Sequence, residues 1–158
     1  MSINSQRYSL ADYVLAVKVP EELSELFADD SNNTFKIGGE GSYLSNISVS
    51  LNENMYSTSG DSTGSWVHNR SLNQTGICSI TVSMLAPGAS TLKRVCNIYY
   101  SSSKFIPGLT LAIQNNNGET LIDMEDCYIQ KIPSHSYQSD AQDQTWSFTC
   151  GKITFKDL

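Results

Sequence analysis

"STSGDSTGSWVHNRS", residues 57–71, is the stretch on which the reading of this chain turns. Its first half is almost entirely Ser, Thr, Gly and Asp, and its second half brings Trp66, His68 and Arg70. Composition alone suggests a linker. A structureless loop longer than about 12–15 residues is uncommon inside a compact domain, however. The Gly-rich centre, "GDSTG", is flanked by runs that can alternate. The stretch is therefore expected to be a β-hairpin arm, with Ser57 to Ser59 going out and Ser65 to Ser71 coming back. A strand there points Trp66, His68 and Arg70 to one side, and Val67, Asn69 and Ser71 to the other. Trp and Arg are favoured anchors at protein interfaces. A lone hairpin is marginal in water, so the arm is expected to be mobile in a monomer and ordered where neighbours satisfy its edges.

Working outward, the flanking sequence alternates with period two, the mark of half-buried strands. "LSNISVSL" sets Ile47, Val49 and Leu51 on one face, and "CSITVSM" sets Cys78, Ile80, Val82 and Met84 on one face. "LTLAI" does so with Leu109, Leu111 and Ile113, and "TWSFTC" with Trp146, Phe148 and Cys150. After Gly151 the phase changes to Ile153 and Phe155, as at a β-bulge. Residues 119–132 change phase too, from Ile122 and Met124 to Cys127 and Ile129. "QNNNGET" joins two of these runs through Asn-Gly, a hairpin signal. "YVLAVKV" reads as an N-terminal strand that is apolar on both faces.

One helix is expected over residues 89–102, capped by Ser90 or a neighbour. Leu92, Val95, Cys96 and Tyr99 form its apolar stripe. "PEELSELF" suggests a second, short helical turn. The fold class is mainly β: an antiparallel sandwich or barrel with one packed α-helix and an extended hairpin arm. A single domain is expected over residues 1–158, with residues 1–40 as an N-terminal strand and variable segment and residues 53–71 as the protruding hairpin.

The formal charge is −6, which argues against electrostatic capture of nucleic acid or anionic lipid. No apolar run approaches the roughly 20 residues that cross a bilayer, and the N-terminus has no signal-peptide pattern. Cys78, Cys96, Cys127 and Cys150 each sit among apolar residues and form no CxxC pair. They read as buried free thiols, with neither a metal site nor a cofactor implied.

Catalytic signatures are missing: there is no GxSxG, Walker loop, HExxH or strand-linked GxGxxG. "KIGGEGS" reads as a turn. Only two histidines occur, His68 and His135, and neither has an evident nucleophile or carboxylate partner. The acidic groups, residues 28–30 and Asp123, Glu125 and Asp126, lack the spacing of a calcium loop. An enzyme is not expected.

The segment from Leu51 to Val82 resembles the tail tube proteins of contractile-tailed phages. In that family a strand runs through an Asn-Glu/Asp pair into a protruding hairpin and returns through an Arg/Asn-rich strand. A polar turn then leads into an alternating Thr/Ile strand. Asn52-Glu53, Gly60-Asp61, Arg70, Asn73 and Gly76 to Val82 occupy those places. The helix, the Asn-Gly hairpin, the run ending in Lys131-Ile132-Pro133, and Trp146 with Cys150 extend the resemblance over about residues 42 to 156. It implies hexameric rings stacked into a tube in the virion tail, assembled in the host cytoplasm. Implied partners are further copies of the chain, a sheath protein, a tape-measure protein, baseplate proteins and a tail terminator, with DNA passing through the lumen unbound and no membrane. Assembly contacts are expected at Glu53, Asp61, Trp66, His68 and Arg70. The alternative reading is a stand-alone β-sandwich binding module, for example for carbohydrate, using the exposed Trp66.

Overall fold

The alternating runs fold as strands whose apolar faces turn the same way. The computed structural model describes residues 8–23, 33–39 and 41–156. Its strands are β1 (Val14–Lys18), β2 (Thr34–Gly38), β3 (Leu44–Leu51), β4 (Tyr56–Gly60), β5 (Trp66–Arg70), β6 (Gly76–Ser83), β7 (Leu109–Gln114), β8 (Thr120–Ile129) and β9 (Asp143–Phe155). Seven of them form one antiparallel sheet in the order β2-β1-β7-β8-β9-β6-β3, and β4 and β5 pair separately. The large sheet curls into a half-barrel.

Register explains the core. Ile80 lies opposite Trp146 and Cys78 opposite Phe148, while Leu15 and Val17 lie opposite Ile113 and Leu111. All of these side chains are buried. The other face of β6 and β9 carries hydroxyls that pair across the strands, Ser79 with Ser147 at 3.2 Å and Thr81 with Thr145 at 3.1 Å. At the β3 edge the burial fades. Ile47 and Val49 are half-buried, and Leu51, where the arm departs, is 43% exposed.

Helix α1 (Pro87–Ser101) lies against the core side of the sheet. Leu92, Val95 and Cys96 of the expected stripe are buried, joined by Ala89, and Tyr99 is half-buried. The helix starts two residues before the expected boundary, and Ser90 is inside it rather than capping it. Pro87 accounts for this. Its fixed φ suits the first helical position, and its missing N–H loses nothing there. A Cβ on Gly88 would lie 2.9 Å from Ile37 Cγ1 of β2. Near the other end Tyr99 meets Tyr128 of β8 edge-on, with ring centroids 6.1 Å apart. The helix thus crosses from β2 to β8.

A short 3-10 helix, Leu10–Asp12, precedes β1, and its neighbours Tyr8 and Tyr13 lie 5.7 Å apart by ring centroids. Residues 21–23 of "PEELSELF" form a 3-10 turn. The rest of that motif, and the acidic residues 28–30, lie outside the described residues.

The two phase changes have one origin. Cys127 pairs with Cys150 and Glu125 with Lys152, so Asp126 and Gly151 fall between them as a single step in both strands. Asp126 takes φ 55°, and a Cβ on Gly151 would sit 3.3 Å from Asp126 Cβ. On the other side of β8, Leu109 faces Cys127 and Leu111 faces Met124. Two β8 residues, Glu125 and Asp126, therefore oppose Thr110 alone. The bulged strand is β8, and Gly151 is the small residue that accommodates it.

Candidate functional site

The arm is built from its root upward by short polar side chains. Asn52 N–H donates to the Thr75 carbonyl at 3.0 Å, and Asn52 Nδ2 donates to Thr75 Oγ1 at 3.1 Å. Asn73 Oδ1 accepts from both Thr75 N and Thr75 Oγ1, at 3.0 and 2.7 Å. Ser71 Oγ donates to Glu53 Oε2 at 2.8 Å, and Ser71 N donates to the Met55 carbonyl at 2.8 Å. These bonds tie the outgoing chain to the returning one, just beyond the sheet. Gly76 closes the root, because a Cβ there would collide with the Ser50 carbonyl and lie 2.5 Å from Ile153 Cδ1. Beside the clasp lies a groove of about 310 Å³ lined by Leu51, Met55, Tyr56 and Leu72 among others.

Beyond the root, Tyr56 pairs with Arg70, Thr58 with His68 and Gly60 with Trp66. Directly opposed residues share a face. One face of the arm thus carries Tyr56, Thr58, Trp66, His68 and Arg70, with Gly60 leaving room beside the indole. The other carries Ser57, Ser59, Val67 and Asn69. Every residue from Tyr56 to Arg70 is exposed, and Trp66 is 67% exposed.

The tip is held by Asp61. Its Oδ1 accepts from Thr63 N at 2.9 Å, Thr63 Oγ1 at 2.7 Å and Ser65 N at 3.0 Å. The Thr63 hydroxyl and the Thr63 and Ser65 amides hold this carboxyl below its ordinary value. Gly64, at φ 89°, supplies the left-handed turn.

The structure brings Trp66, His68 and Arg70 onto one face, as the alternation predicts. It spaces Glu53 and Asp61 apart from them and gives each an internal bond, Glu53 at the root and Asp61 at the tip. Tyr56 and Thr58, which share the bulky face, were not singled out by the sequence. Counting outward from the tip through Gly60 and Trp66 would have found them. Elsewhere, His135 Nδ1 donates to the Pro133 carbonyl at 2.8 Å within its own loop. Asp123 pairs with Lys156 at 2.9 Å, and Glu125 lies opposite Lys152. Lysines therefore answer that acidic stripe. Among the described residues no group of three or more His, Cys, Asp or Glu side chains is placed to hold a metal ion.

A family profile described as "Bacteriophage PhiTE tail tube protein" matches residues 31–156. No curated protein matches the chain by sequence. Among solved structures the fold is similar to the tube-terminating cap of the anti-feeding prophage. The TM-score is 0.56 at 12% identity, over 100% of this chain and 97% of that one. It is equally similar to a chain of the sheath/tube terminator of PVC, an extracellular contractile injection system. There the TM-score is 0.56 at 12% identity, over 98% of this chain and 100% of that one.

Proposed function

The chain belongs to the bacteriophage PhiTE tail tube protein family and is a structural component of the tail tube, and we propose that it forms hexameric rings stacked into a tube whose lumen passes DNA during ejection. The arm carries this reading. It stands outside the seven-stranded sheet, presents an aromatic and cationic face, and is exposed along its length. Such a hairpin gains little by itself, whereas joining strands of neighbouring copies would satisfy its edges. Among the described residues β3 ends the order of the half-barrel on the side where the arm departs, so a neighbouring copy can continue the sheet there. A head-to-tail contact that closes by rotation makes a ring, and stacked rings make a filament.

The net charge of −6 suits a channel for DNA, since like charge disfavours adhesion. On this reading a sheath surrounds the tube, a tape-measure protein fills it before ejection, and baseplate and terminator proteins hold its ends. Assembly takes place in the host cytoplasm.

Electron microscopy of the purified full-length chain tests the reading. Tubes are expected, and a chain lacking residues 57–65 is expected to stay folded and form none. Normal tubes from that deletion would remove the arm from the assembly. A wild-type chain that stays monomeric at high concentration, even when seeded with tube ends, would remove the tube role itself.

A second reading is favoured by the two solved neighbours, both named as terminators. A terminating cap would form one ring, bind the end of a preformed tube and stop its growth. Elongation by the chain alone separates the tube subunit from the cap.

A further inference from the structure

We propose that Cys127 and Cys150 form a cross-strand disulfide when the folded chain meets a peroxide, stapling β8 to β9 beside the bulge. This does not rest on the tube reading. The two residues are directly opposed in register, and both are buried, Cys127 fully and Cys150 at 3% exposure. Directly opposed Cα atoms in an antiparallel pair lie about 4.5–5.5 Å apart. That falls within the roughly 4.4–6.8 Å that a disulfide spans. Their side chains share a face, so bridging them needs no strand to slip.

Register also excludes the other candidates. Cys78 lies opposite Phe148, with Cys150 its diagonal neighbour. Diagonal Cα atoms are about 7–8 Å apart, beyond the roughly 7 Å at which a bridge needs backbone movement. Cys78 and Cys127 have β9 between them, a separation near twice the ~4.8 Å strand spacing. Cys96 is on the helix.

The neighbouring Cys150 sulfur, together with burial, raises the Cys127 thiol. Cys127 in turn lowers Cys150, whose Sγ donates to the Phe148 carbonyl at 3.7 Å. Burial pushes Cys78 up to about 12, which keeps it protonated. Cys150, at 3% exposure against none for Cys127, is the sulfur of the pair that peroxide reaches first.

The chemistry balances with hydrogen peroxide as oxidant. The Cys150 thiolate attacks one peroxide oxygen and the O–O bond breaks. The departing hydroxide takes up the proton that Cys150 gave up, which makes one water and leaves a sulfenic acid. The Cys127 sulfur then attacks Cys150 Sγ. The S–S bond forms, the S–O bond breaks, and the hydroxyl leaves as a second water with the Cys127 proton. The two sulfurs together give up the two electrons that the peroxide gains.

The staple also reaches the arm. Cys150 lies opposite Gly76, the residue that closes the arm root, and Ile153 N donates to the Gln74 carbonyl at 3.0 Å. Oxidation therefore fixes the platform from which the arm departs.

The experiment treats the native full-length chain with hydrogen peroxide, then denatures it in an alkylating agent and maps the peptides. The chain has four free cysteines. Two alkylated thiols and one peptide pair joining Cys127 to Cys150 are expected, with an unfolding midpoint raised by about 5–10 °C. Cys150→Ala is expected to keep its three remaining thiols, Cys127→Ala to lose the Cys150 thiol to sulfenic acid without forming a link, and Cys78→Ala still to form the link. The wild-type peptide map decides the matter if any variant fails to fold. Four intact thiols, a link through Cys78 or Cys96, sulfinic acid without a link, or a link formed only in unfolded chain would each overturn the proposal.

Discussion

Thr58 Oγ1 and His68 Nδ1 lie 2.7 Å apart across the arm. This bond joins β4 to β5 through side chains on the bulky face and leaves both outer backbone edges open. The imidazole remains exposed beside Trp66 and Arg70. We predict that His68→Ala shifts the stability of the monomer by no more than about 0.5 kcal/mol, as exposed substitutions do, while reducing tube yield. Urea unfolding and sedimentation of the same samples check this. A clear loss of monomer stability with unchanged tubes would assign His68 to the fold instead.

Trp66 and Arg70 flank His68 on the same face, and no described residue buries them. If they anchor a neighbouring copy, Trp66→Ala and Arg70→Ala each cost about 2 kcal/mol of association. That is roughly 30-fold in the concentration at which tubes appear. Val67, on the opposite small-residue face, serves as the comparison. Val67→Ala producing the larger shift would turn the interface over to the other side of the hairpin.

Period two was legible in the sequence because core contacts repeat at every second residue. Ile80 and Val82, or Trp146 and Phe148, are buried where the alternation places them. Register was not legible, because it depends on which strands meet. The slip seen at Gly151 was read on β9, yet the bulged residue is Asp126 of β8, and only the pairing of β7 with β8 reveals that. The helix stripe was visible, but its first turn was placed at Ser90 by capping preference, while Pro87 set the start. In the arm, alternation put Trp66, His68 and Arg70 together. It could not show that Glu53 and Asp61 bond within their own chain, because Ser71 and Ser65 reach them only once the hairpin closes.

Asp61 makes the tip sensitive to acid in a defined window. Hydrogen bonds from the Thr63 hydroxyl and amide, and from the Ser65 amide, lower its folded value from the ordinary 3.8. A carboxyl lowered on folding contributes order that is fully present above its unfolded value and lost as pH falls through the folded one. The tip is thus expected to be unchanged across neutral pH and to loosen only below 3.8. Amide exchange at Thr63 and Ser65 reads this. Asp61→Asn, which keeps an acceptor oxygen, removes the acid transition, and Asp61→Ala frees the tip at every pH. An unaltered transition in Asp61→Asn would place its origin elsewhere.

Asp126 stores local strain at the bulge, with φ 55° beside Gly151 and a side-chain oxygen close to Gly108. Asp tolerates the left-handed region better than most residues, and a β-branched side chain tolerates it poorly. Asp126→Val is therefore expected to destabilise the chain by about 1–3 kcal/mol. Asp126→Gly, which relieves the backbone but gives up the carboxylate, is expected to stay within about 1 kcal/mol of the wild type. Glu125→Val is the control, because Glu125 is exposed and pairs in register with Lys152. Urea unfolding of the three variants gives the comparison. If Asp126→Val costs no more than Glu125→Val, the bulge does not demand this backbone conformation. The phase change would then owe its position to Gly151 alone.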